Sequence, residues 1–85
     1  MTNEQIEQVL VQHVRDEYLV DNDRGLLTKD LNLVSTGVLD SVSTLALVDF
    51  VEKRFEIEFL PHEIDEDNIG TIEILASFIQ EKKKS

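Results

Sequence analysis

Thr36-Gly37-Val38-Leu39-Asp40-Ser41-Val42 is the stretch that decides how this chain folds. Gly37 permits a tight turn, Val38 and Leu39 pin it down, and Asp40-Ser41 opens a long amphipathic segment. Asp and Ser are favoured where a helix begins, because their oxygens accept hydrogen bonds from the first free backbone N–H groups. Either residue can act as the cap. In both cases Ser41 falls in the first turn, where its hydroxyl is held at the surface. The free N–H groups and the helix dipole favour negative charge at that end, so a serine carrying a phosphodiester is well placed there. Taken alone, an Asp-Ser pair is most often just a cap. The layout on either side gives it weight.

Downstream, the spacing predicts a helix from Ser41 to Phe55. Leu47, Val48, Val51 and Phe55 fall on one side at 100° per residue and form a core stripe, with Leu45 and Phe50 flanking it. Val42, Ala46, Asp49 and Lys53 fall opposite. Ile57-Glu58-Phe59-Leu60-Pro61 reads as extended, since Pro61 disfavours helix at Leu60, and Ile57 and Phe59 are expected inside. The acidic run Glu63 to Asn68 suits a short third helix ending at Gly70. Thr71 then caps a fourth helix, with Ile72, Leu75, Ala76 and Ile79 as its stripe and Phe78 at its edge. Lys82 to Lys84 suit the negative end of that helix.

Upstream, Thr2 and Gln5 are spaced as a capping box. Ile6, Val9, Leu10 and Val14 make the stripe of a first helix expected to end near Leu19 or Val20. His13 lies beside that stripe as a core-edge histidine rather than a ligand or base. Between Asp21 and Leu39 neither period is sustained. A loop this long is rare in a small domain unless it packs on itself, and Leu26, Leu27, Leu31, Leu33, Val34, Val38 and Leu39 are its anchors. Thr28 to Leu31 can form a short turn of helix. Asp21/Asp23/Gly25 misses a calcium loop, with its glycine one place early and Asn32 in place of the bidentate Glu. Asp65/Asp67/Gly70 fails as well, because Ile69 and Ala76 fill ligand positions. The expectation is all-α: a small four-helix bundle, three main helices plus a short third one, with a long loop between helices 1 and 2.

Composition narrows the functions. The 85 residues suit one domain spanning 1–85, with its core in about 4–80. There is no cysteine, so no disulfide framework, thiolate metal site or cysteine nucleophile can exist. No apolar run approaches the ~20 residues needed to span a bilayer, which makes a cytoplasmic chain the expectation. The formal charge is −10, with six acids against Arg15 between Glu4 and Asp23, and nine against Lys53 and Arg54 between Asp40 and Asn68. Such a field disfavours nucleic acid and anionic membrane and steers the chain towards basic partner surfaces. Two isolated histidines and scattered acids supply no catalytic set and no metal site, so no enzyme is expected. His62, beside Pro61, is read as solvent-facing.

Asp30-Leu31-x-Leu33-x-x-x-Gly37-Val38-Leu39-Asp40-Ser41-Val42 resembles the acyl carrier protein family, in the branch of peptidyl and aminoacyl carriers. The likeness continues through Phe55, Pro61, Asn68-Ile69-x-Thr71-Ile72 and the last helix. It implies a monomeric carrier rather than an enzyme. In the family a phosphopantetheinyl transferase moves 4′-phosphopantetheine from coenzyme A onto the serine that corresponds to Ser41, and Asp40 corresponds to the aspartate before it. The arm then presents an acyl or aminoacyl thioester to a loading enzyme and a downstream synthase or transferase. Val42, Ala46, Asp49, Lys53 and Ile69 are the expected docking residues. Val42 stands where Leu or Ile is commoner, and Ala46 where fatty-acid carriers have an acid. These departures point to a specialised pathway (polyketide, nonribosomal peptide or aminoacyl transfer). The alternatives are the general fatty-acid carrier and, in another class, an acidic interaction module with no prosthetic group.

Overall fold

A computed structural model describes residues 2–18 and 27–84. Its regular elements are all helical: α1 (Asn3–Tyr18), α2 (Ser41–Phe55), a 3-10 turn (Pro61–Glu63), α3 (Glu66–Ile69) and α4 (Ile72–Lys84). No described helix is long and apolar enough to cross a membrane. The expected end of the first helix at Leu19 or Val20 lies outside the described residues, as do Asp21, Asp23, Gly25 and the anchor Leu26.

Local chemistry starts each helix. The Thr2 hydroxyl accepts the Gln5 N–H at 3.2 Å while the Gln5 side chain accepts the Thr2 N–H at 2.9 Å, so the capping box forms as expected. Thr71 Oγ1 accepts the Ile74 N–H at 3.0 Å and starts α4. Asp65 caps α3 through the Asn68 N–H. Helix α3 stops at Gly70, where a Cβ would lie 2.5 Å from the Glu66 carbonyl oxygen. Any side chain there would push into the helix end.

The amphipathic faces then close on one core. Helix α1 contributes Ile6, Leu10 and Val14, α2 contributes Leu47, Val48, Val51 and Phe55, and α4 contributes Ile72, Leu75, Ala76 and Ile79. Each Val, Leu, Ile or Phe among them brings about 1.5–3 kcal/mol of transfer free energy when fully buried. Helix α1 packs against α4, and α3 lies on α4. Phe59 packs inward and stacks on Phe78 with ring centres 4.9 Å apart.

The described part of the long loop is tied into this core. Leu27, Leu33 and Leu39 are buried, and Leu31 and Val38 are half-buried against them. The segment Thr28 to Leu31 forms a single turn closed by the Leu31 N–H on the Thr28 carbonyl at 3.3 Å, not a helix. Two backbone bonds stitch the loop to the α3–α4 junction: Leu33 N–H to the Gly70 carbonyl (2.7 Å) and Glu73 N–H to the Lys29 carbonyl (2.9 Å). Asn32 organises the turn that follows, its Oδ1 accepting the N–H groups of Val34 and Ser35 at 3.0 and 2.8 Å. Such a side chain mimics a backbone turn. Gly37 completes the turn at φ 84°, a conformation that penalises any Cβ.

Candidate functional site

The turn delivers the chain to α2 with Asp40 extended (φ −104°, ψ −172°). Its Oδ1 accepts the Ser43 N–H at 2.8 Å and its carbonyl accepts the Thr44 N–H at 2.8 Å. Asp40 is therefore the cap and Ser41 the first residue of the helix. The backbone N–H of Ser43, and next its hydroxyl, hold the Asp40 carboxyl below its ordinary value of 3.8. Ser41 is exposed, in a first turn that contains no acidic side chain. Its hydroxyl is free of the capping role and belongs to the turn at the positive end of the helix dipole.

Ser41 lines a groove of about 400 Å³. Leu39, Leu45, Ile64 and Ile69 supply apolar lining, while Asp40 beside the serine and Asp65 and Glu66 at the start of α3 supply the acids. Val42 is 75% exposed and Leu45 59%. Ala46, Asp49 and Lys53 continue along the exposed side, with Lys53 Nζ 2.9 Å from Asp49 Oδ2 in an i,i+4 ion pair.

No family model matches the chain. It is similar to the D-alanyl carrier protein of Lactococcus lactis subsp. lactis (strain IL1403), with 35% identity over 54 residues, covering 64% of this chain and 68% of the relative. A D-alanyl carrier protein of Lactococcus lactis subsp. cremoris (strain MG1363) is 34% identical over 53 residues, 62% and 67% of the two chains. The chain belongs to the carrier protein family. Carrier proteins are not themselves enzymes, so the catalytic groups are to be sought on whatever acts upon the carrier.

For a carrier, the residues named from sequence divide into two sets. Asp40, Ser41 and Val42 lie together at the helix start, and Val42, Ala46, Asp49 and Lys53 share the exposed face. Ile69 is a correction. It was expected on the docking surface, but only 2% of it is exposed, and it belongs to the core as well as to the groove lining. In a helix of four residues, periodicity is too short to show which side chain turns inward. Leu45 is corrected the other way. Its place on the wheel put it at the edge of the core, yet it stands out beside Ser41. Asn32 was overlooked altogether as the organiser of the turn, although Asn at the start of a loop is the expected signal.

His13 is half-buried, its ring stacked on Phe50 with centroids 3.6 Å apart and a 6° interplanar angle. Burial lowers its pKa, against the opposing influence of Glu17 and then Asp16. It is the core-edge histidine the sequence suggests, and His62 is exposed. No group of three or more His, Asp or Glu among the described residues is arranged to hold a metal ion.

Proposed function

We propose that Ser41 carries a 4′-phosphopantetheine arm whose thiol holds an amino acid or other acyl group as a thioester for transfer between enzymes. The carrying observation is the exposed hydroxyl at the first position of α2, released from capping by Asp40. The free N–H groups of that end suit the phosphodiester anion. The chain has no cysteine, so the arm's thiol would be the only one available for cargo. The relatives named as D-alanyl carriers favour an aminoacyl cargo over a long fatty acyl chain, and a cytoplasmic setting with access to coenzyme A fits this role. Asp40 fixes the turn that presents the serine. Val42 and Ala46, on the outward side beside it, offer apolar area to an approaching transferase or loading enzyme.

Incubation with coenzyme A, Mg²⁺ and a broad-specificity phosphopantetheinyl transferase should add the mass of a single arm, located by fragmentation on Ser41. Ser41→Ala should take up none while keeping its helical circular dichroism. Arm addition to Ser35, Ser43 or Thr44 in that variant would overturn the assignment. An unmodified wild-type chain would favour the interaction-module alternative.

A further inference from the structure

One side chain of α1 lies flat on one of α2. The His13 imidazole covers the Phe50 ring with centroids 3.6 Å apart and planes 6° from parallel, a fuller overlap than the offset stacks aromatic rings usually adopt. Tyr18 meets the same imidazole edge-on, at 5.8 Å and 80°. Its hydroxyl donates to the Ser43 carbonyl at 3.5 Å, a long bond between residues 25 apart in sequence. Burial, and next Glu17, pushes the Tyr18 hydroxyl above its ordinary 10.0, so it stays a donor around neutral pH. Ser43 is also the residue whose N–H fills the Asp40 cap at 2.8 Å. Phe50, His13, Tyr18 and Ser43 thus form a chain of contacts from the middle of α2, across α1, and back to the first turn of α2. At about 100° per residue Ser43 lies about 200° round the helix from Ser41, so this contact leaves the serine exposed.

We infer that Tyr18 is a positioning residue for the turn that bears Ser41, braced by the His13–Phe50 stack and released when His13 takes up a proton. A half-buried imidazolium gives up part of its water shell, which opposes charge on the ring. The Phe50 face attracts a cation, and Glu17 and Asp16 on α1 do too, yet burial dominates and holds the His13 pKa below its ordinary 6.5. The charged side chains of α2 are engaged elsewhere. Asp49 and Lys53 pair with each other, Glu52 accepts the Phe59 N–H, and Arg54 lies over Phe55 at 5.4 Å. Apart from Asp16, the groove beside the ring is uncharged, with Gln5, Gln8 and Gln12 along it. Above 6.5 the neutral stack contributes in full. As pH falls the unfolded chain binds the proton first, and the contribution drains away until the folded His13 is protonated too. The brace stands on this geometry alone. Its consequence for arm carriage rests on Ser41 as the attachment point.

The test follows backbone amide and histidine ring signals of the full chain by nuclear magnetic resonance between about pH 7.5 and about pH 5. The Ser41 and Ser43 amides should move with the midpoint of the His13 ring, which should lie under 6.5. Asp40, held below 3.8, is silent in this window. His13→Phe keeps a stacked ring and has no proton to take up, so both amides should stay at their high-pH positions. If that variant loses its helical circular dichroism, His13→Gln takes its place. Tyr18→Phe leaves His13 titrating but should cut the amide movement by about twofold or more, since only the hydroxyl is gone. In arm transfer from coenzyme A near about pH 7.5, Tyr18→Phe should lower kcat about threefold with KM within about twofold, because a misplaced acceptor hydroxyl costs turnover rather than encounter. Amides that ignore the His13 titration overturn the inference, as does movement in Tyr18→Phe as large as in the wild type. Movement that survives in the His13 variant belongs to another group and overturns it too. A wild-type kcat for Tyr18→Phe removes the positioning role. A wild-type chain that accepts no arm fails the reading of Ser41 instead, and the amide signals then decide the brace on their own.

Discussion

The two ends of α2 meet the same backbone problem in opposite ways. At the start, free N–H groups are satisfied from within the segment, by the Asp40 side chain one residue before Ser41. No remote element has to lie over the serine. At the far end the Glu52 carbonyl accepts the N–H groups of Glu56 and Ile57 as Glu56 turns the chain away in the left-handed conformation at φ 57°, and Lys83 of α4 adds a donor from outside, to the Phe55 carbonyl. A helix capped only from its own segment at one end, and reached by a remote side chain at the other, keeps the first open and the second closed. The open end is where Ser41, the proposed attachment point, lies exposed.

The open end still depends on what lies behind it. Leu33 is fully buried, donates its N–H to the Gly70 carbonyl, and accepts the Leu39 N–H at 2.8 Å. It therefore joins the turn before Ser41 to the α3–α4 junction. Leu33→Ala should cost about 2–5 kcal/mol in urea denaturation, as truncation of a buried leucine does. That is a large share of the stability of a small domain. Leu31→Ala should cost visibly less, since Leu31 is only half-buried. A wild-type midpoint for Leu33→Ala would show that the open end is held by Asp40 alone, and the contrast between the two ends would sharpen.

The buried stripes of α1, α2 and α4 were legible in the sequence because a period of 3.6 residues repeats over several turns. The Thr2–Gln5 box and the helix start at Asp40-Ser41 were legible from side-chain chemistry. The loop was legible only in part. Its leucines announced burial, but without a period nothing ranked Leu33 above Leu31. Leu45 and Ile69 were misplaced for a related reason, since each sits where neighbouring elements, not its own helix wheel, decide exposure. The pairing of Lys83 with Phe55 joins residues 28 apart in sequence, which no local rule anticipates. At the site, the serine and its cap could be read directly. The groove that joins the start of α2 to α3 required the fold.

At the closed end, Lys83→Met keeps the aliphatic stem and removes the charge. The loss should be about 0.3–1 kcal/mol, the ordinary contribution of a cation at a helix C-terminus. Arm addition to Ser41 should proceed at the wild-type rate. If the rate falls together with stability, the ends are coupled, and the division into an open and a closed end fails.

The smallest effect at neutral pH belongs to Asp40, and it is separated from the others by acid. Its carboxylate accepts hydrogen bonds from the backbone and then the side chain of Ser43, so its folded pKa lies below the unfolded value of 3.8. The sign follows from proton uptake. Above the unfolded value both states are ionised, and the full stabilisation is present. As pH falls below it, the unfolded chain binds a proton first, and stability drains away until the folded carboxyl is protonated too. Asp30 and Glu63 also have lowered pKa values, Asp30 chiefly through the Thr28 hydroxyl and Glu63 chiefly through Lys82, so the wild-type acid slope is a composite. Asp40→Asn isolates one part of it. Asparagine still caps a helix, so the variant should match the wild-type urea midpoint near pH 7 and show a shallower loss of stability between about pH 5 and pH 2. Equal acid slopes in the two proteins would mean that the cap does not depend on the charge of Asp40, and that the open end of α2 is held by hydrogen-bond geometry alone.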